Sequence, residues 1–188
     1  MKKPYDTVYK LRGILMTPPY MVLVFATWGE VEHDQLIWTI GAAIFFAGLG
    51  GRIWAQMHLH FRLHVRKILT CTGPYQFVRN PIYISNTLIM LGLTVMSELV
   101  WFLPIMLVWC AVLYSFVVRR EELHLLEKYG EPYQAFLDEI PRWMPSVRSN
   151  LRQPSYAMPY LWASIGVELH CLLWPLPLIG KELWHPFG

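Results

Sequence analysis

Two adjacent carboxylates, Glu121 and Glu122, follow Arg119 and Arg120 at the end of a long apolar run. An ionisable side chain at the mouth of a membrane-length helix is costly unless it is used. Neighbouring residues on a helix point about 100° apart, so one of the two faces inward, while the other can join a mixed-charge face with an arginine three residues away. The inward carboxylate suits a cationic or hydroxyl-bearing ligand. Arg79 offers the complement, because its planar guanidinium matches carboxylate or phosphate and it stands two residues before Pro81, where another apolar run begins. Asn80 and Tyr83 beside it add an amide and a phenol. Gly48, Gly50 and Gly51, with Ala55 in register, permit close approach of a second helix or of a ligand. His60 and His64 have the spacing of zinc ligands, yet no cysteine or carboxylate accompanies them and cations crowd them. They and His58 read as amphipathic interface residues, and no metal is expected. Cys71, Cys110 and Cys171 are odd in number and far apart, which reads as reduced and structural rather than as a disulfide or thiolate site.

These groups have to be positioned by apolar elements. The chain has 188 residues, 55% hydrophobic and 15% charged, which suits one domain and is far from the composition of a soluble protein. Runs at 13–28, 35–57, 81–97 and 99–118, with a proline-interrupted fifth at 155–179, approach the roughly 20 apolar residues that cross a bilayer core. The expected fold is all-α, with about five transmembrane helices in a single domain. The lysines and arginines ahead of the first run resemble a leader, but Pro18 and Pro19 break its centre and no small-residue cleavage site follows, so it reads as a retained, kinked helix.

Positive residues stay on the cytoplasmic side. With the N-terminus inside, the segments 1–12, 58–80 and 119–154 together with Arg52 hold 15 of the 16 lysines and arginines. The loops on the other side carry Glu30, Glu32, Asp34 and Glu98 and no base. The chain therefore reads as an integral membrane protein whose N-terminus and chemistry are cytoplasmic. Its net charge of +3 belongs to membrane lipids rather than to nucleic acid, at about 1 kcal/mol per basic residue near an anionic surface. No carboxylate occurs between Gln35 and Ser97, so Arg52, Arg62, Arg66, Lys67 and Arg79 must find anions elsewhere: in lipid, in a ligand, or in the segment 119–145. Within that segment Leu123, Leu126 and Tyr129 recur at helical spacing until Gly130 and Pro132 stop the helix. Trp54, Trp101, Trp109, Tyr75 and Tyr83 read first as interface anchors.

The ordered set Gly48-x-Gly50, Gly51–Ala55 (GRIWA), Gly73–Tyr83 (GPYQFVRNPIY), Glu121–Leu125 (EELHL), Tyr129–Tyr133 (YGEPY) and Pro141–Pro145 (PRWMP) resembles the integral-membrane methyltransferase family that includes isoprenylcysteine carboxyl methyltransferases and phosphatidylethanolamine N-methyltransferases. The resemblance covers about residues 38–145 and leaves 155–179 as an extension. It implies transfer of a methyl group from S-adenosyl-L-methionine to a lipid-like or isoprenoid acceptor at the cytoplasmic face. It also implies a cofactor site at Gly48, Gly50, Gly73, Pro74, Tyr75, Arg79, Pro81, Glu121 and Glu122, with Arg79, Asn80 and Tyr83 at the reacting end. The cofactor's ammonium and ribose need a carboxylate and its carboxylate needs a cation, which Glu121 or Glu122 and Arg79 supply. Asn80 stands where many members have histidine, and Ser85 where a glycine is usual. Asn80 can hydrogen-bond but cannot act as a base, so His58, His64, Tyr83 and the two glutamates are the groups left to accept a proton from an amine acceptor.

Two alternatives share these features. An NADPH-dependent reductase of the sterol-reductase type would not require the paired glutamates. A non-enzymatic membrane protein would be expected to carry polar groups at mid-membrane, where Asn86, Thr94 and Ser115 are the only single-residue candidates and Glu168 with His170 the only pair.

Overall fold

The computed structural model describes residues 3–31, 34–60, 69–146 and 157–184. These are helical, with no strand among them: α1 (Lys3–Phe25), α2 (Asp34–His60), α3 (Pro81–Met96), α4 (Leu103–Tyr129), α5 (Glu131–Glu139), α6 (Leu161–Glu168) and α7 (Leu176–Trp184). Short 3-10 turns at Gly73–Gln76, Val100–Phe102, Met158–Tyr160 and Leu169–Leu173 connect or extend them.

Three segments are long and apolar enough to cross a membrane, Gln35–Leu59, Val100–Tyr129 and Met158–Trp184, and α3 is apolar but shorter. This is fewer than the five spans the hydropathy suggests. At 16 residues α3 falls short of the roughly 20 that a bilayer core needs. In α1 the charged residues Lys3, Asp6, Lys10 and Arg12 occupy the first half. That helix runs unbroken through Pro18 and Pro19. These apolar helices fit an integral membrane protein.

The closest pairing in the bundle is α2 on α3, and small residues make it. A methyl group added to Gly48 would stand 2.8 Å from the Ile89 nitrogen and the Ser85 carbonyl oxygen, and one added to Gly92 would stand 2.6 Å from the Phe45 nitrogen. The backbones therefore approach to a distance that only glycine permits, the usual basis of helix association where lipid removes the hydrophobic driving force. α1 lies against α4, and α6 and α7 close the bundle against α2 and α1. Phe45, Leu23, Met90, Leu93, Met106, Val117 and Val118 form the buried centre.

α4 continues well beyond its apolar part and ends where expected. Gly130 takes φ +62°, its N–H bonds the Leu126 carbonyl at 2.9 Å, and Pro132 enters the first turn of α5. A second cluster of Cys71, Tyr133, Phe136 and Ile140, with Leu69, Leu125, Leu126 and Tyr129 packed on it, folds α5 back beneath the segment before α3. Leu123, expected on that apolar face, is exposed instead, and Leu125 takes the place. The three cysteines are free and buried. Of the three histidines in the first basic segment, His64 lies outside the described residues, as do Arg62, Arg66 and Lys67.

Candidate active site

The end of α4 brings its two glutamates to different partners. Glu121 faces a cavity of about 340 Å³ and accepts a hydrogen bond from the Tyr83 hydroxyl at 2.7 Å. Glu122 is buried and turned away from it, where its carboxylate accepts Arg79 Nη1 at 3.0 Å and Arg142 Nε at 3.1 Å. Arg142 belongs to the PRxxP segment, whose backbone also braces the site: the Pro141 carbonyl accepts the Arg79 N–H at 3.0 Å, and the Phe77 carbonyl accepts the Ser146 N–H at 2.8 Å. Asn80 reaches the Arg142 carbonyl through its amide at 3.5 Å.

Because Arg79 is anchored at its backbone and at one terminal nitrogen, its remaining donors are presented rather than free to wander. Its Nε is buried and has no hydrogen-bond partner among the described residues. An orphan donor on a cation beside a cavity is costly in an apolar surrounding and is satisfied by an anionic ligand. Tyr75, Arg79, Asn80, Pro81, Tyr83, Glu121, Tyr129, Tyr133 and Phe136 all line the cavity. Burial, and then the Glu121 charge, raise the Tyr75 phenol above its ordinary value. Burial followed by Glu122 does the same for Tyr133. Both remain neutral hydrogen-bonding aromatics at physiological pH.

The turn that carries Tyr75 depends on one glycine. Gly73 has φ +60°, and a methyl group there would stand 2.3 Å from His58 Nε2. His58 is itself buried, with Nδ1 at 3.0 Å from the Thr72 hydroxyl. It is thus a positioning residue for the Gly73–Gln76 turn, not a group lining the cavity.

Not every residue of the sequence motif gathers here. Gly48 is committed to the α2/α3 contact, and Gly50 is exposed with nothing within 4 Å of an added methyl. Gly73 and Pro74 are buried in the supporting turn. Tyr75 and Tyr83, read first as interface anchors, are buried at the cavity, whereas Trp54, Trp101 and Trp109 are exposed on the outer surface. Arg142 was missed, although its signal, an arginine inside the PRxxP motif, was present.

Tyr83 also forms part of a second, inner cavity of about 180 Å³, lined among others by Arg12, Arg52, Asn86, Tyr114 and His170. Arg52 donates to the fully buried Glu168 through Nε at 2.6 Å and Nη2 at 3.0 Å, and to Asn86 Oδ1 through Nη1. The anion that Arg52 lacks between Gln35 and Ser97 is supplied by the apolar run at 155–179. A third, apolar crevice of about 600 Å³ runs between α1 and α4, past Val8, Leu15, Trp109 and Phe116.

The phospholipid methyltransferase family model matches residues 38–132, just over half of the chain. Among curated proteins, the nickel-cobalt-cadmium resistance protein NccN of Alcaligenes xylosoxydans xylosoxydans is 27% identical over 139 residues, 71% of this chain and 63% of that protein. The cobalt-zinc-cadmium resistance protein CzcN of Cupriavidus metallidurans is 26% identical over 118 residues, 63% of this chain and 53% of that protein. The matched part thus spans between half and two thirds of these relatives' length. No solved structure matches.

Proposed function

The chain belongs to the phospholipid methyltransferase family, and from that premise we propose that it transfers a methyl group from S-adenosyl-L-methionine to a lipid-like acceptor on the cytoplasmic side of the membrane. The observation that carries this reading is the cavity lined among aromatic rings by Arg79 and Glu121, the first with a buried Nε–H that lacks a hydrogen-bond partner among the described residues and the second with a carboxylate bonded by Tyr83. Its volume of about 340 Å³ lies within the usual range for small-molecule sites.

The cofactor supplies an electrophilic methyl on a sulfonium, and the rest of the work falls to these residues. Arg79 binds the carboxylate, and Glu121 binds the ammonium or a ribose hydroxyl. Tyr75, Tyr129, Tyr133 and Phe136 offer faces for the adenine and for the positive sulfur. Tyr83 is common to the outer and inner cavities, so an acceptor headgroup held in the inner one would lie beside its hydroxyl. For an amine acceptor, the Tyr83–Glu121 hydrogen bond provides a route for the departing proton, which Asn80 could not take. A carboxylate acceptor needs no base. The crevice between α1 and α4, helices that also line the outer cavity through Tyr9 and Glu121, supports an acceptor with an apolar chain drawn from the bilayer. In-line transfer then requires little beyond alignment and exclusion of water.

The test is calorimetric titration of the detergent-purified chain with S-adenosylmethionine and S-adenosylhomocysteine, with NADPH as control. Saturable binding is expected with the first two and not with NADPH. Glu121→Gln and Arg79→Gln should each weaken it by roughly tenfold or more, as loss of a charge-assisted hydrogen bond does. A folded wild-type chain that binds neither sulfur compound refutes the reading, and selective NADPH binding would replace it with the reductase. The two relatives are named for resistance to nickel, cobalt, cadmium and zinc, and we propose metal resistance as the setting of this activity.

A further inference from the structure

Beside the inner cavity, where α6 passes into the Leu169–Leu173 turn, three side chains of different chemistry converge, two of which, His170 and Cys171, line its wall. One donor atom from each of Glu168, His170 and Cys171 lies within 4.8 Å of the other two. Cys171 Sγ stands 3.5 Å from Glu168 Oε2 and 3.7 Å from His170 Nε2. Thiolate, imidazole and carboxylate bonds to a zinc-class ion are about 2.0–2.3 Å long, which places two donors on one tetrahedral ion about 3.5 Å apart. The two distances from Cys171 already match the spacing of a shared ion, and the third pair lies within 4.8 Å.

Their hydrogen bonds prepare them for that role. His170 Nδ1 is 2.8 Å from the Val167 carbonyl oxygen, which can only accept. Nδ1 therefore carries the proton, and Nε2 turns its lone pair toward Cys171. A backbone carbonyl on the far ring nitrogen is the usual device that holds a ligating histidine in tautomer and orientation. Glu168 is fully buried, and Arg52 holds both of its oxygens. An ionised carboxylate has about four acceptor positions, so Oε2 can bind an ion while Arg52 stays as its outer hydrogen-bond partner. Asn86 fixes Arg52 in turn.

We propose that Glu168, His170 and Cys171 form a binding site for one borderline-soft divalent metal of the zinc, cobalt or cadmium class. The sulfur and nitrogen donors disfavour magnesium and calcium, which take oxygen shells. On binding, Cys171 gives up its thiol proton to solvent and Sγ forms the new bond. Thiolate and carboxylate then match the two charges of the ion, and Arg52 leaves the ensemble with one positive charge. The fourth coordination position goes to a water or, better matched in charge, to an anion from the cavity that His170 and Cys171 line. The site stands on its own donors and does not rest on the methyl-transfer reading.

The experiment is titration of the tag-free, detergent-purified full chain with cobalt(II) chloride, followed by absorbance. Expected are the intense visible bands of four-coordinate cobalt and a near-ultraviolet thiolate-to-cobalt band, both saturating at one ion per chain and both bleached by zinc. Cys171→Ser should abolish the thiolate band, and His170→Gln should weaken binding at least tenfold, while Cys71→Ser and Cys110→Ser leave it unchanged. His170 is exposed, so its variant keeps the test readable even if the buried Cys171 does not tolerate replacement. A folded wild-type chain with no saturable band overturns the proposal. So does a six-coordinate spectrum, or a signal that persists in His170→Gln and Cys171→Ser.

Discussion

Glu121 and Glu122 show how one peptide bond separates a cavity-facing carboxylate from an architectural one. Their adjacency and the inward-facing bias of one of them were legible in the sequence, as were Arg79 and Tyr83 as neighbours of an apolar run. Which glutamate faces the cavity was not legible, because that depends on Arg142, which lies 20 residues away beyond the Gly130 turn. Replacing Glu122 with glutamine should strand Arg79 and Arg142 together and cost about 2 kcal/mol of stability. Glu121→Gln should leave stability nearly unchanged while weakening the cofactor. Thermal unfolding in detergent separates the two, and equal midpoints for both variants would contradict the division of labour.

At the scale of elements, α2 and α3 form the platform from which the site is hung. Residues 81–83 at the start of α3 reach the cavity, so the height of α3 against α2 sets where Pro81 and Tyr83 stand. A branched side chain at Gly48 must push the helices apart, because the atoms it meets are backbone. Gly48→Val is expected to lower the unfolding midpoint by several degrees and to weaken ligand binding with it, whereas Gly50→Val on the exposed face should do neither. Thermal unfolding of the two variants side by side checks this. The small-residue stripe and its packing role could be read from spacing alone. The partner helix could not, since Ser85, Ile89 and Gly92 become its counterpart only once the chain has folded back. Leu123 illustrates the same limit: periodicity gives a face only to within about a residue, and the packing of α5 selected Leu125.

For the molecule as a whole, the apolar runs made an all-helical membrane protein legible, and three of the five expected spans meet the length and apolarity of a membrane crossing among the described residues. The closing contact was illegible for a plain reason. Arg52 and Glu168 are separated by 116 positions, and nothing local marks them as partners. Removing one charge of a buried pair costs about 3–5 kcal/mol, whereas replacing both with apolar residues is often tolerated. Glu168→Leu should therefore destabilise strongly, and Arg52→Leu added to it should recover most of the loss. Unfolding midpoints of the single and double variants give the coupling directly, and an additive result would deny the pair.

That pair also has a consequence in time. Arg52 leaves the ribosome long before Glu168 is made, and a lone arginine in a membrane helix costs about 2.5–3.5 kcal/mol at the centre of the bilayer. During synthesis the Arg52 end of α2 is therefore held toward the lipid headgroups by its unneutralised charge. Glu168 delivers the missing carboxylate 116 positions later, so a segment translated well after α2 sets the depth of that earlier helix.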